Sequence, residues 1–61
     1  MNLSETVKHQ TKKWEVSISE FKTNGETRYK VTRRLPEMSV AETKIFGTKE
    51  DALKLFHEWL N

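Results

Sequence analysis

The sequence predicts an α+β domain in which a three-stranded antiparallel sheet carries one C-terminal helix on one face. Three observations predict this fold. Apolar and polar residues alternate over 14–21 and again over 27–35, as they do along strands with one buried side. The pair Asn24–Gly25 separates these stretches and favours a tight hairpin turn, because both central residues of such a turn have positive φ. After Thr48, the apolar residues recur with the spacing of a helix.

The first strand is predicted over 14–21, and its inward face consists of Trp14, Val16 and Ile18. Phe21 falls out of this phase, so we expect a bulge or the end of the strand near it. An aromatic side chain outside the inward phase is expected to be exposed. Phe21 is therefore the residue predicted to be available to a protein partner.

The second strand is predicted over 27–35, with Tyr29, Val31 and Leu35 on the face that turns toward the helix. Arg33 falls among these inward positions. An arginine is costly to bury without a partner, so the strand is expected to twist or to leave the core at this residue.

Pro36 cannot donate a hydrogen bond to a sheet, so the residues around it are predicted to form a connection. A third strand is predicted over 40–46. Its phase is ambiguous, because Ile45 and Phe46 are adjacent apolar residues. An irregularity at Gly47 is expected to let both of them reach the core.

The helix is predicted to begin after Thr48, a favourable N-cap, with Asp51 three residues further in a variant of the capping box. Its apolar stripe consists of Ala52, Leu55, Phe56, Trp59 and Leu60. A helix of about 12 residues is marginal alone, so we expect this stripe to pack on the sheet.

Residues 1–12 are predicted to form a flexible basic arm ahead of a single domain over 13–61, because they hold few apolar groups. A short helix that begins at Ser4 is the alternative, with Glu5 near the positive end of its dipole. The expected core of the domain consists of Trp14, Val16, Ile18, Tyr29, Val31, Phe46, Ala52, Leu55, Phe56 and Trp59.

The composition excludes several classes of protein. A chain of 61 residues and 7.2 kDa forms one small domain, with a core too thin to enclose an active site. The sequence has no cysteine, which excludes disulfides and thiolate metal sites. No apolar run approaches the roughly 20 residues that cross a bilayer, and the first residues lack the apolar segment of a signal peptide. A cytoplasmic location is therefore expected.

The polar side chains form no catalytic or metal-binding pattern. Neither His9 nor His57 has a sequence partner for proton transfer. His57 and Glu58 are adjacent residues of a helix and cannot face one metal ion. Gly25 and Gly47 belong to turns rather than to a phosphate-binding loop. We therefore predict no enzymatic activity, no catalytic residue, no metal and no cofactor.

The charge is unevenly distributed along the chain, although its formal net value is only +2. Residues 1–35 hold eight basic and four acidic residues, a net +4, whereas residues 36–61 hold three and five, a net −2. If the helix covers the face of Tyr29 and Val31, the opposite face is uncovered and basic. The residues expected on that face are Ser17, Ser19, Arg28, Lys30, Thr32 and Arg34.

These side chains can donate to phosphate oxygens, and the DNA major groove is wide enough to admit a sheet. The uncovered face is therefore predicted to bind nucleic acid. The same residues also suit a face that only has to be soluble, because an uncovered sheet face must be polar in any case. The residues alone leave both interpretations open.

Two stretches of the sequence resemble a known family. The first, GETRYKVTRRL, supplies Gly25, Arg28, Tyr29 and Val31. The second, KIFGTKEDALKLFHEWL, supplies Phe46, Thr48, Lys49 and Ala52. Together they resemble the arm-type DNA-binding domain at the N-terminus of tyrosine recombinases, often called the AP2-like integrase domain. The resemblance extends over roughly residues 14–60.

The resemblance implies a three-stranded sheet laid in the DNA major groove, with the helix packed behind it. It also implies a stand-alone relative of these domains from a phage or mobile element, and it adds Lys44 on the third strand to the DNA-binding residues.

The alternative function is a protein-interaction module, either a modulator of a partner protein or a homodimer through an exposed sheet edge. Neither function involves a membrane or a small-molecule substrate.

Overall fold

The computed structural model describes residues 3–61, apart from the side chain of Pro36, and within that range it contains a four-stranded antiparallel sheet and one α-helix. The elements are β1 (Ser4–Lys8), β2 (Glu15–Thr23), β3 (Glu26–Leu35), a 3₁₀ turn (Pro36–Met38), β4 (Val40–Phe46) and α1 (Lys49–Leu60). The strands lie in the order β1-β2-β3-β4. The α+β class and the C-terminal helix are confirmed, whereas the expected number of three strands is wrong.

The additional strand, β1, lies in the segment predicted to be a flexible arm. It pairs antiparallel with β2, from Ser4 opposite Ser19 to Lys8 opposite Glu15, and Val7 packs against the core. The edge of β2 supplies hydrogen bonds to this short strand, so its formation depends on the neighbouring strand rather than on its own residues alone. The structure thus replaces both the arm and the alternative short helix by an edge strand. The first two residues of the predicted arm lie outside the described residues.

β2 and β3 form the hairpin predicted at Asn24–Gly25, where φ is 51° and 78°. These left-handed values are those of a tight primed turn. The pairing of the two strands runs from Glu15 opposite Arg34 to Thr23 opposite Glu26 without a break. No bulge occurs near Phe21, because β2 continues in register past it and ends two residues later, at Thr23 beside the turn.

The side chains of β4 alternate so that Phe46 faces the helix. Phe46 pairs with Tyr29 on that side, whereas Ile45 pairs with Lys30 on the other side and is 59% exposed. The expectation that both apolar residues reach the core is wrong, because β4 alternates regularly up to its last residue.

α1 covers one face of the sheet and begins at the predicted cap, where the Thr48 hydroxyl accepts a hydrogen bond from the Asp51 N–H at 3.3 Å. The buried core consists of Val16, Ile18, Val31, Ala52, Phe56 and Trp59. The other predicted core residues, Trp14, Tyr29, Phe46 and Leu55, are partly buried against it. The predicted core is confirmed, and Val7 of β1 extends it.

Arg33 remains on the helix side of β3, at the border of the core. Its guanidinium carbon lies 4.9 Å from the ring centre of Trp14 and 4.7 Å from that of Trp59. Its Nη2 donates a hydrogen bond to the Glu42 carboxylate at 2.5 Å. The two indole faces and the carboxylate offset the desolvation of the charge. Of the two outcomes predicted for Arg33, departure of the strand from the core does not occur, because β3 keeps its register with both neighbouring strands here.

His9 fixes the segment between β1 and β2 to the end of the helix. Its Nδ1 accepts hydrogen bonds from the backbone N–H groups of Thr11 and Lys12 at 3.1 Å and 3.0 Å. Its Nε2 lies 3.1 Å from the carbonyl oxygen of Asn61. Since Nδ1 accepts, Nε2 carries the proton and donates to this carbonyl.

Replacing His9 by alanine is expected to lower the free energy of unfolding by about 1–2 kcal/mol, because it removes these side-chain hydrogen bonds. Urea unfolding measures the loss, and the amide protons of Thr11 and Lys12 should exchange faster. His57→Ala is the matched control, since His57 is exposed on the helix and should change stability by less than about 0.5 kcal/mol. An equal loss in both variants would contradict the anchoring role of His9.

Candidate nucleic-acid interface

The sheet face opposite α1, here called the open face, is not covered by any other element of residues 3–61. Residues that pair across two strands share a face, so the register defines its composition. The open face consists of Ser4, Thr6, Lys8, Glu15, Ser17, Ser19, Phe21, Thr23, Glu26, Arg28, Lys30, Thr32, Arg34, Ala41, Thr43 and Ile45. Apart from Phe21, Ala41 and Ile45, these residues are polar or charged.

A row of hydroxyl groups crosses the middle of the open face. Each strand contributes one residue to this row, which consists of Thr6, Ser17, Thr32 and Thr43. The hydroxyl oxygens of Thr32 and Thr43 lie 3.0 Å apart, within hydrogen-bond distance. Ser4 and Ser19 form a shorter second row beside the first. Serine and threonine hydroxyls commonly donate to phosphate and sugar oxygens.

Four cationic side chains lie on the open face around these rows: Lys8, Arg28, Lys30 and Arg34. Arg28 is paired with Glu26, with 2.6 Å between Nη2 and the carboxylate oxygen. The other three have no carboxylate oxygen within 4.0 Å among the described residues. Glu15 is the open-face carboxylate nearest in register to Lys8 and Arg34, so it partly offsets their charge.

A shallow hollow of about 320 Å³ lies in the open face, over β1, β2 and β3. It brings together five of the residues predicted to bind nucleic acid: Ser17, Ser19, Lys30, Thr32 and Arg34. Ser4 and Thr6 of β1 also line it, and sequence reasoning missed both. The alternation of Leu3 and Val7 with these two polar residues is the signal that could have found them.

Two of the predicted residues lie elsewhere. Arg28 is on the open face near the hairpin turn, outside the hollow. Lys44 pairs with Val31 and therefore lies on the helix side, where it lines a depression together with Asp51 and Glu58. The structure therefore separates Lys44 from the other predicted binding residues, because the orientation of Phe46 fixes the phase of β4, which the sequence left open.

Phe21, the predicted protein contact, lies on the open face opposite Arg28 and is half-buried. The expectation of an exposed ring at this position is therefore not met. Its place on the open face follows from the regular alternation of β2.

A second hollow, of about 360 Å³, lies at the end of the sheet where β1 ends and β2 begins. Its lining includes Lys8, Lys12, Lys13 and Trp14. The Lys12 ammonium lies 4.9 Å from the ring centre of Trp14, and Lys13 lies 3.6 Å from Glu37. Because the N-terminal segment is part of the sheet, Lys8 and Lys12 bring positive charge to this end, where Glu15 and Glu37 also line the hollow.

The architecture and the open face define a small β-meander with one helix behind it and a polar, basic surface in front. Comparisons with known protein families, with curated proteins and with solved structures found no match. The resemblance to recombinase arm domains therefore stays a prediction. Within residues 3–61, no helix is long and apolar enough to cross a membrane, and no group of three or more acidic or histidine side chains could hold a metal ion.

Proposed function

We propose that the protein binds double-stranded DNA through its open face. The observation that carries this proposal is the position of Lys8, Lys30 and Arg34, which surround a band of hydroxyl groups and have no carboxylate within 4.0 Å in the described part of the chain. Lysine and arginine displace the counterions condensed on DNA when they contact phosphates, and this release drives binding. The hydroxyl groups donate to phosphate oxygens between them.

The dimensions of the sheet suit the major groove. Adjacent strands lie about 4.8 Å apart, so the central pair β2–β3 with its side chains fits a groove about 12 Å wide. In that arrangement β1 lies toward the phosphates of one groove wall, with Lys8 and the hydroxyls of Ser4 and Thr6 facing them. α1 lies behind the sheet and makes no contact with the DNA.

The cytoplasmic location and the association with a phage or mobile element that the sequence predicts belong to this proposal. A protein partner is the second candidate function. The structural feature that favours it is the exposed edge of the sheet rather than Phe21, whose ring is half-buried.

Fluorescence anisotropy of a labelled duplex, titrated at several salt concentrations, tests the proposal. We expect binding at about 50 mM salt and a plot of log K against log salt with a slope near −3, since each of three phosphate contacts contributes about −0.9. An RNA duplex of the same sequence should bind more weakly, because its major groove is too narrow for a sheet. Absence of binding at low salt would overturn the proposal, and equal affinity for both duplexes would overturn docking in the major groove.

A further inference from the structure

The outer strand β4 has an exposed edge with unusual composition. It pairs with β3 on one side, and among residues 3–61 no strand pairs with its other side. The large apolar residues that the structure exposes all lie on β4 or in the turn before it. They are Met38, Val40 and Ile45, which are 68%, 49% and 59% exposed. Edge strands are usually protected by charge, proline or a bulge. β4 runs regularly for seven residues and has only one charge of each sign, Glu42 and Lys44.

We propose that this edge binds the same edge of a second copy of the chain, antiparallel, with the two-fold axis at Thr43. Glu42 already accepts a hydrogen bond from Arg33 of its own chain. In this register Glu42 of each copy also lies opposite Lys44 of the other, so two charge pairs form across the interface. Ala41 lies opposite Ile45, and Val40 opposite Phe46, so exposed apolar surface is covered as well. Opposite charges in cross-strand positions stabilise a sheet, whereas like charges destabilise it.

The neighbouring registers that keep both helices on one side of the sheet are less favourable. Moving the axis to residue 42 places the two Glu42 side chains opposite each other, and moving it to residue 44 does the same to the two Lys44 side chains. The charge pattern of β4 therefore selects the axis at Thr43. The edge of β1 offers only five residues and no large exposed apolar side chain among those described.

This dimer has one continuous eight-stranded sheet, because the two-fold axis is perpendicular to its plane. Both helices then lie on one side and both open faces on the other. The inference does not depend on DNA binding. If both hold, the paired open faces form a two-fold symmetric surface, which suits an inverted repeat in DNA. A single strand pair buries far less than the roughly 1,600 Å² of a standard interface, so the dimer is expected to be weak.

Disulfide trapping detects such a weak dimer, and the chain has no cysteine to interfere. In the proposed register, Thr43→Cys brings two Cα atoms to about 4.5–5.5 Å, within the range of a disulfide. We expect Thr43→Cys to form covalent dimers several-fold faster than random collision at ~100 µM protein, because the two thiols of each dimer react at an effective concentration in the millimolar range while the strands are paired.

Two control variants measure the rate of crosslinking by random collision. Thr32→Cys places the thiol on the same face but in the interior strand β3, and Thr6→Cys places it on the β1 edge. Equal crosslinking of all three variants would overturn the dimer, and fastest crosslinking of Thr6→Cys would place the interface at β1 instead. The register has its own test. A mixture of Ala41→Cys and Ile45→Cys should crosslink, whereas each alone should remain at the collision rate, and the absence of mixed dimers would overturn the axis at Thr43.

Charge reversal supplies a second test of the register, and it uses only the thiol at position 43. In the Thr43→Cys background, Lys44→Glu places like charges opposite each other at both Glu42 positions and should return crosslinking to the collision rate. Lys22→Glu makes the same change of charge at an exposed position of the interior strand β2, away from the β4 edge, and should leave crosslinking unchanged. A loss of crosslinking in both variants would show that net charge, not the edge register, controls association.

Discussion

Replacing Lys30 and Arg34 together by alanine is expected to lower the affinity for duplex DNA by about 60-fold at ~0.1 M salt, because each phosphate contact contributes roughly eightfold there. Both side chains line the hollow of the open face and have no carboxylate within 4.0 Å among the described residues. Their loss should also reduce the salt slope by about 2, since two fewer counterions are released. Anisotropy titrations at several salt concentrations measure both quantities.

A matched control removes the same charge from the other side of the molecule. Lys49→Ala combined with Lys54→Ala leaves the open face intact, because both lysines are exposed on α1. This variant should bind DNA within about threefold of the parent, since charges farther away than a Debye length of about 10 Å are largely screened. Equal weakening by both double variants would show that net charge, rather than the open face, determines binding. Lys44→Ala should behave like the control, because Lys44 lies on the helix side.

Replacing Trp59 by alanine is expected to cost about 3–5 kcal/mol, the usual penalty for removing a buried tryptophan side chain. Trp59 is 9% exposed, and its ring covers the Arg33 guanidinium at 4.7 Å. The variant loses core volume and also one of the two indole faces that compensate the charge of Arg33. A domain of this length has a total stability of only about 3–5 kcal/mol, so we expect the variant to be largely unfolded at 25 °C.

Urea unfolding followed by circular dichroism measures this loss. Glu58→Ala is the control, because it makes a change to alanine at the adjacent, exposed helix position and should stay within about 0.5 kcal/mol of the parent. Trp59→Phe should fall between the two, since it retains an aromatic ring against Arg33. A folded Trp59→Ala variant with the parent's unfolding midpoint would contradict the assignment of Trp59 to the core.

The open face could be predicted largely from the sequence, because its residues alternate with the apolar residues of β2 and β3. Ser17, Ser19, Lys30, Thr32 and Arg34 lie where alternation places them. The position of Lys44 could not be predicted in the same way. Ile45 and Phe46 are adjacent, and only contact with the helix decides which of them turns inward.

The N-terminal strand is the part of the fold that the sequence did not predict. Its five residues include one that packs against the core, Val7, and their propensity for a strand is too weak to detect alone. The hydrogen bonds that order it come from β2, so its own five residues do not contain the cause. The same folding brings Lys8 and Lys12 from the predicted arm to the basic end of the sheet.

By itself, the sequence determined the hairpin at Asn24–Gly25, the helix capped by Thr48 and the apolar faces that form the core. Each of these depends on interactions between residues within a few positions of one another, or on a period that can be read along the chain. Only the tertiary structure decided the pairing of β1, the phase of β4 and the place of Arg33 between two indoles. These depend on contacts between different strands, or between a strand and the helix, because unpaired hydrogen-bonding groups and charges are satisfied by the partners that the folded chain brings near them.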